Sequence, residues 1–175
     1  MTMEIGHKIY CGGAFCFDYR EDGYEAKAEL DYRSGLLGGV EALLKPKDGY
    51  DIKISESLIY VGPFYFVTES MKDEEIIRFE NRMIESCTDA IFVLDDAACP
   101  GTIAEIMYAN SLKKNLHFFY VYHGENVETE SALHTPCWYP ILFCQLTNSK
   151  VRLYPCVDYE DAKYKVIENI KSMGQ

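Results

Sequence analysis

The sequence lacks several patterns that would indicate a function directly. It contains no C-x-x-C pair and no G-x-G-x-x-G, so neither a zinc or thioredoxin-type motif nor a dinucleotide-binding fingerprint is predicted. No apolar run approaches the roughly 18 residues of a transmembrane helix, and the N-terminus lacks the charged-then-apolar order of a signal peptide. We therefore expect a cytoplasmic protein with no metal site, no cofactor and no membrane contact.

Basic residues are scarce relative to acidic ones. The 175-residue chain holds 17 lysines and arginines against 28 aspartates and glutamates, a formal net charge of −11. Binding along a phosphate backbone requires a basic surface, so no nucleic-acid polymer is predicted as a partner. A small-molecule ligand is more compatible with this net charge. Backbone N–H donors could still bind one anionic group of such a ligand.

The number of cysteines is odd, which argues against a disulfide framework. Seven are present, at positions 11, 16, 87, 99, 137, 144 and 156. In the absence of a signal peptide we expect reduced thiols. We expect most of them to pack in the core as small hydrophobic residues.

Segments typical of strands and helices alternate along the chain. Strands are predicted at 7–15, 57–66, 89–95, 116–123 and 150–157, and helices at 24–45, 73–87, 102–114 and 158–173, with a further helix in 134–146 after Pro136 or Pro140. Such alternation is typical of an α/β fold with helices on both faces of a parallel sheet. We predict one domain over residues 1–175, a doubly wound five-stranded parallel sheet of flavodoxin-like order 2-1-3-4-5.

Two unusual turns follow the first and third predicted strands. The first contains Gly12 and Gly13, and the second runs from Asp95 to Glu105 as DDAACPGTIAE. In a sheet of this order the ligand binds beyond the carboxyl ends of these two strands, where the strand order reverses. Paired glycines either form a tight turn or let the backbone approach a ligand closely, and both interpretations remain open.

Glu105 also has two interpretations. Thr102 and Glu105 have the T-x-x-E spacing of a capping box, in which the glutamate only closes the first turn of a helix. The same helix begins at the predicted crevice, where its N–H groups and dipole would hold a carboxylate ionised. An ionised carboxylate there is suited to attack an anomeric carbon.

Three segments, in order, resemble the nucleoside 2-deoxyribosyltransferase family and its nucleotide N-glycosidase relatives. They are IYCGGAF near the start, ESCTDAIFVLDD in the middle and PGTIAEIMYA after it, and the resemblance covers roughly 8–17 and 78–112. It implies that Glu105 is the nucleophile that displaces the base from the sugar and that Tyr10 orients it. It also implies a small-molecule nucleoside or nucleotide as the partner.

The acid that protonates the departing base is absent from the family's usual positions. The resemblance places it at Asn81 and Cys99, where an amide and a thiol stand. Asp95 or Asp96 could substitute, and Asp96 is our catalytic candidate, although an aspartate after a strand is equally typical of a stabilised turn. The residues expected to line the substrate pocket are Gly12, Gly13, Phe15, Asn81, Asp95, Cys99, Gly101, Thr102, His134 and Trp138.

Residues 123–140 form the least regular part of the chain. The resemblance implies that a late segment crosses to a neighbouring subunit and completes its sugar site, so we expect a homo-oligomer. His134, Trp138 and Tyr139 could play that part, with the aromatic rings stacking on a base. Trp138 is alternatively a residue that only packs its helix.

The sequence favours an enzyme that cleaves or transfers at the N-glycosidic bond of a nucleoside or nucleotide. Asn81 and Cys99 favour a different class, a nucleotide-binding module that has lost catalysis. An NAD-cleaving enzyme would use the same carboxylate chemistry, and a Cys99–His134 pair would indicate a thiol hydrolase. The orientation of Glu105, towards the crevice or back onto Thr102, discriminates the first two hypotheses.

Overall fold

The computed structural model describes residues 6–13, 31–44, 51–64, 72–94, 100–121 and 137–175. Its strands are β1 (His7–Gly12), β2 (Ile52–Lys53), β3 (Leu58–Gly62), β4 (Asp89–Leu94), β5 (Asn115–Val121) and β6 (Val151–Cys156). Its helices are α1 (Tyr32–Leu37), α2 (Val40–Leu44), α3 (Asp73–Ser86), α4 (Pro100–Ser111), α5 (Trp138–Thr147) and α6 (Tyr159–Met173).

The strands form one sheet in the order β2-β3-β1-β4-β5-β6. Every pairing is parallel except that of β2 with β3, which is antiparallel. The five parallel strands have the predicted order 2-1-3-4-5, which confirms the fold class. The predicted number of strands was wrong by one, because the two-residue β2 is too short to produce an alternating pattern in the sequence.

The central strands are apolar because helices cover both faces of the sheet. All of β4 is buried, and so is β5 after its first residue. Helix α6 packs on β4, β5 and β6, whereas α3 packs on β1 and β3 and contacts α4. The rings of Phe92 and Phe118, on adjacent strands, stack with their centroids 5.9 Å apart. This packing places the carboxyl ends of β1 and β4 side by side.

The helix predicted at 24–45 is interrupted by glycines in its described part. Helices α1 and α2 are separated by Gly38, whose φ of 79° closes α1 in a left-handed cap, and by Gly39, whose φ is 146°. Glycine reaches these conformations without steric cost, so the pair ends the helix rather than merely weakening it. Residues 24–30 lie outside the described residues.

Prolines lie in the first turns of two helices, of which α5 starts after Pro136 as predicted and α4 starts two residues before the predicted position 102. Helix α5 begins at Trp138 and holds Pro140 in its first turn, where a missing N–H breaks no helical hydrogen bond. Helix α4 begins at Pro100, so Thr102 lies within its first turn. Proline is favoured at the first helical position because its φ is already helical.

The cysteines of the described residues lie in the core, as predicted. Cys11, Cys87, Cys137, Cys144 and Cys156 are all buried free thiols. Cys16 and Cys99 lie outside the described residues. None of the helices in the described part of the chain is long and apolar enough to cross a membrane.

Candidate active site

Glu105 lies at the carboxyl edge of the sheet, where β1 and β4 end side by side. It stands in the second turn of α4, the helix that follows β4. A methyl group placed on Gly12 would lie 2.9 Å from Glu105 Oε2 and would overlap the ring of Phe92. The carboxylate therefore rests against the end of β1, at the point where the strand order reverses and where such folds bind ligands.

The surroundings of Glu105 keep its carboxyl protonated well above the usual range. Its pKa is raised to about 7, first by burial and then by the negative charge of Glu80. The Tyr10 hydroxyl and the Arg33 guanidinium oppose this shift, because both favour the ionised carboxylate. A carboxyl with a pKa near neutrality in a crevice is the kind of group that serves as a catalytic acid, base or nucleophile.

Tyr10 is fully buried in β1 with its hydroxyl beside Glu105. Burial raises the pKa of Tyr10, and the charge of Glu105 raises it further. The hydroxyl approaches the carboxylate without the geometry of a well-formed hydrogen bond, and it has no other partner among the described residues. Hydrogen bonds in active sites are often long before substrate binds. Tyr10 is thus a neutral donor held next to Glu105.

Arg33 fixes the turn against which Glu105 rests. Its side chain is fully buried, and it donates from Nε to the Cys11 carbonyl at 2.8 Å and from Nη2 to the Gly13 carbonyl at 3.0 Å. Its Nη1 donates to Asp31 Oδ2 at 2.8 Å, which pairs the buried charge. Gly13 has a φ of 116°, a conformation that only glycine adopts easily. The guanidinium thereby ties α1 to the last residues of β1.

Glu80 is the second carboxylate near Glu105. It is half-buried on α3, and burial raises its pKa. Asn81, where the sequence resemblance places the family's acid, is also half-buried on α3, but among the described residues it is not one of those that shift the pKa of Glu105. The carboxylate that α3 brings near Glu105 is thus one position earlier than the resemblance implies.

Sequence reasoning identified neither Glu80 nor Arg33. Glu80 lies on the same helix face as the apolar residues Ile76, Met83 and Ile84. A carboxylate within an apolar stripe could therefore have indicated a functional residue. Arg33 gave no comparable signal, because its role depends on carbonyl groups some twenty residues earlier in the chain.

Glu105 does not form the capping box with Thr102. Because α4 begins at Pro100, Thr102 is a buried residue of the first turn and is not the cap. The side chain of Glu105 instead approaches Gly12 and Tyr10. Among the described residues it accepts no hydrogen bond from the Thr102 N–H. The interpretation of Glu105 as a helix-closing residue is therefore wrong, for the physical reason that the helix starts two residues earlier.

The other predicted pocket residues are dispersed or lie outside the described part. Gly101 is exposed in the first turn of α4. Trp138 is 43% exposed at the start of α5 and contacts Tyr139 edge-to-face, with ring centroids 5.6 Å apart. Among the described residues no contact joins Trp138 to Glu105. The residues outside the described part are Phe15, Asp95, Asp96, Cys99 and His134.

The pair of carboxylates defines what this site can do chemically. The negative charge of Glu80 disfavours ionisation of Glu105, so a single proton on the two carboxyl groups is favoured over none. A pair that holds one proton offers one carboxylate for nucleophilic attack and one carboxylic acid for proton donation.

Comparisons with known proteins give limited information. No protein-family model matches the chain, and no curated protein matches its sequence. Among solved structures, the chain is similar to the CMP N-glycosidase BcmB of Clostridium botulinum, with a TM-score of 0.49 and 14% identity over 93% of this chain and 98% of that one. A likeness of this strength assigns neither a family nor an activity.

Proposed function

We propose that this protein cleaves, or transfers at, the N-glycosidic bond of a nucleoside or nucleotide, with Glu105 as the nucleophile. The observation that carries the proposal is the environment of Glu105. The half-buried side chain of Glu105 places its carboxylate against Gly12 at the reversal point of a doubly wound sheet, and its pKa is raised to about 7. The resemblance of the surrounding segments to the deoxyribosyltransferase family supports the same chemistry.

In the first step the ionised Glu105 attacks the anomeric carbon of the sugar. The bond from that carbon to the base nitrogen breaks, and a glycosyl ester forms on Glu105. The base leaves with the electron pair of the broken bond and takes a proton. Glu80 is the acid that we assign to this proton, since burial raises its pKa and its charge is already felt by Glu105.

In the second step water or another base attacks the same carbon. The ester bond breaks, Glu105 is released as a carboxylate, and the proton of the incoming group passes to Glu80. Tyr10 assists by donating to Glu105 as its charge returns, because its phenol remains neutral at this pH. Arg33 acts as a positioning residue through the carbonyls of Cys11 and Gly13.

A second candidate function is ligand binding without catalysis. It is favoured by the raised pKa of Glu105, because burial and the charge of Glu80 disfavour the ionised carboxylate that nucleophilic attack needs. A neutral carboxyl can donate a hydrogen bond to a nucleotide without attacking it. Such a module would bind the same nucleosides and release no base.

Replacement of Glu105 by Gln tests the nucleophile. The wild type should release free base from a member of a panel of nucleosides, deoxynucleosides and 5′-monophosphates, detected by HPLC. Glu105→Gln should release none, because an amide cannot form the ester. With a 2-fluoro-2-deoxy nucleoside, mass spectrometry should find the sugar on the peptide that contains Glu105.

The pH dependence of stability serves as a control that the Glu105→Gln variant is folded. Because the folded-state pKa of Glu105 is raised from 4.5 to about 7, the folded protein holds the extra proton in this range, and stability is lost as the pH rises through it. The loss is about 3 kcal/mol in all. Glu105→Gln lacks this titration and should lose less stability in urea melts between pH 4.5 and pH 8. Retained base release by a folded Glu105→Gln protein would refute the assignment, and absence of release by the wild type would favour the binding module.

Replacement of Glu80 by Gln tests the acid. A base that already carries a positive charge, such as N7-methylguanine, leaves without being protonated, so its release should be nearly unchanged in Glu80→Gln. Release of an ordinary base should fall by about 10²-fold or more. Asn81→Ala is the matched control on the same helix and should affect both substrates alike. Equal losses for the two leaving groups in Glu80→Gln would show that Glu80 is not the acid.

A further inference from the structure

A cavity lies at the edge of the sheet opposite to Glu105. It is lined at the amino ends of the strands by His7, Asp89, Asn115 and Val151, and by residues of the turn before β6 and of the last turns of α6. Its volume is about 550 Å³, within the range of small-molecule sites. From His7 to Gly12, β1 extends by roughly 16 Å at about 3.3 Å per residue. The cavity is therefore separate from the candidate active site.

The acidic residue of this cavity, Asp89, has its acceptor capacity filled by neighbouring side chains. Asp89 Oδ2 accepts from His7 Nδ1 and from Thr88 Oγ1, both at 2.7 Å. Its Oδ1 accepts from Asn115 Nδ2 at 3.0 Å and from His117 Nε2 at 3.2 Å. Although burial alone would raise the pKa of Asp89, these donors hold it well below its usual range. Four donors saturate the carboxylate and leave it no capacity for a ligand cation.

The basic residues of the cavity have no such partners. Lys150 and Arg152 line it from the start of β6, and neither side chain forms an ion pair or hydrogen bond among the described residues. Both residues are exposed, so their charges remain available to a ligand. Lys150 and Arg152 carry two positive charges against the one negative charge of Asp89, so these lining residues have a net positive charge in a protein whose net charge is −11.

The opposite wall, on α6, presents an acceptor. Asn169 Nδ2 donates to Tyr154 Oη at 3.0 Å, and Tyr154 Oη lies 3.4 Å from His117 Nδ1. This arrangement leaves Asn169 Oδ1 as a buried oxygen with no partner. The carbonyl end of α6 lies at the same wall, and it too favours donors over anions. Ser172 adds a hydroxyl there.

We propose that this cavity binds a phosphorylated small molecule that carries hydroxyl groups, a sugar phosphate being the simplest representative. The phosphate lies against Lys150 and Arg152, and hydroxyl groups of the same molecule donate towards Asn169 and Ser172. A phosphate alone would leave the acceptors of α6 unpaired, and a neutral sugar would leave the cations unpaired. The ligand therefore needs both groups, separated by the width of the cavity. This site does not depend on the function proposed for Glu105.

Calorimetric titration with ribose 5-phosphate, inorganic phosphate and ribose tests the proposal. At low ionic strength ribose 5-phosphate should bind more tightly than either fragment, and its affinity should fall as salt is added. Arg152→Gln and Lys150→Gln should each weaken its binding by about tenfold, the loss expected for one charge-assisted hydrogen bond. Both residues are exposed, so the variants are expected to fold normally.

Arg82→Gln is the matched control, because Arg82 is exposed on α3 and does not line the cavity. This variant should bind ribose 5-phosphate as the wild type does. Binding that is equal in all variants would place the ligand elsewhere, for example at Glu105, and would overturn the proposal, as would the absence of binding. Equal affinity for inorganic phosphate and ribose 5-phosphate would refute the role of the hydroxyl groups and with it the ligand class.

Discussion

At the scale of single residues, position 12 has room for a hydrogen atom and little else. A Cβ there would lie 2.9 Å from Glu105 Oε2 and 2.7 Å from Phe92 Cδ1, so one of the two side chains would have to move. The absence of a side chain at Gly12 is therefore a condition for the position of the carboxylate. A change of Gly12 to alanine therefore tests the position of the Glu105 carboxylate without removing a functional group from the site.

We expect Gly12→Ala to reduce base release by about 10²-fold, because displacement of a reacting group by about 1 Å has that effect. It should also destabilise the fold by roughly 1–3 kcal/mol through overpacking. Gly35→Ala is the control, since Gly35 lies in α1 with nothing within 4 Å of an added Cβ. That change should leave activity intact and raise stability by up to about 1 kcal/mol. Steady-state kinetics and urea melts of both variants measure these effects, and an unchanged rate in Gly12→Ala would show that Glu105 is not held there during catalysis.

At the scale of elements, the buried pair of Arg33 and Asp31 connects α1 to β1. We expect Arg33→Met to lower the free energy of unfolding by roughly 3–5 kcal/mol, because it leaves Asp31 charged and buried without its partner. Asp31→Asn combined with Arg33→Met should recover part of the loss, and this non-additivity in urea melts is the measurement. Arg82→Met, at an exposed site, should change stability by less than about 0.5 kcal/mol. A loss in Arg33→Met as small as that of Arg82→Met would mean that the pair contributes nothing to this connection.

The elements that the sequence predicted well are those whose pattern has a single physical cause. Strands β4 and β5 are continuous apolar runs because both faces are covered, and their order followed from the parallel α/β arrangement. The two-residue β2 has no such pattern, and the interruption between α1 and α2 depends on the φ values that Gly38 and Gly39 adopt. Periodicity indicates burial, and it does not report backbone conformation at individual glycines.

The candidate site was predictable to a smaller extent. The positions of Glu105 and Gly12 followed from the strand order, since the ends of β1 and β4 had to meet. The contributions of Glu80 and Arg33 come from contacts between α3, α1 and the strands, which the local sequence does not encode. The capping-box spacing of Thr102 and Glu105 was present without the structure that it normally indicates, because the helix starts at Pro100.

At the scale of the whole molecule, α5 carries an exposed apolar face. Tyr139 is 62% exposed and Leu146 is 86% exposed, with Trp138 beside them and the Tyr139 ring stacked on Phe143 at 6.4 Å. Aromatic residues of this kind are enriched in the interfaces between subunits. The proposed homo-oligomer would use this face between two copies of the chain.

We expect light scattering at micromolar concentration to show an oligomer for the wild type. Tyr139→Asp should shift the mass towards the monomer, because it places a charge in the contact. Tyr164→Asp is the matched control, since Tyr164 is 67% exposed on α6, a different helix. A monomeric wild type would contradict the assembly, and a monomer produced by both changes would contradict the choice of α5.

The five buried thiols of the described residues can report local unfolding of the native protein. Burial raises the pKa of Cys11 and Cys87 to about 12 and that of Cys144 and Cys156 to about 11, so in the folded state almost none of them is a thiolate near neutral pH. Cys11, Cys144 and Cys156 lie in β1, α5 and β6, whereas Cys87 follows the end of α3 and Cys137 precedes the start of α5. A thiol reagent can modify each one only after its element has separated from the sheet. The order in which these cysteines are labelled would therefore give the order in which the layers of the fold come apart, without any introduced probe.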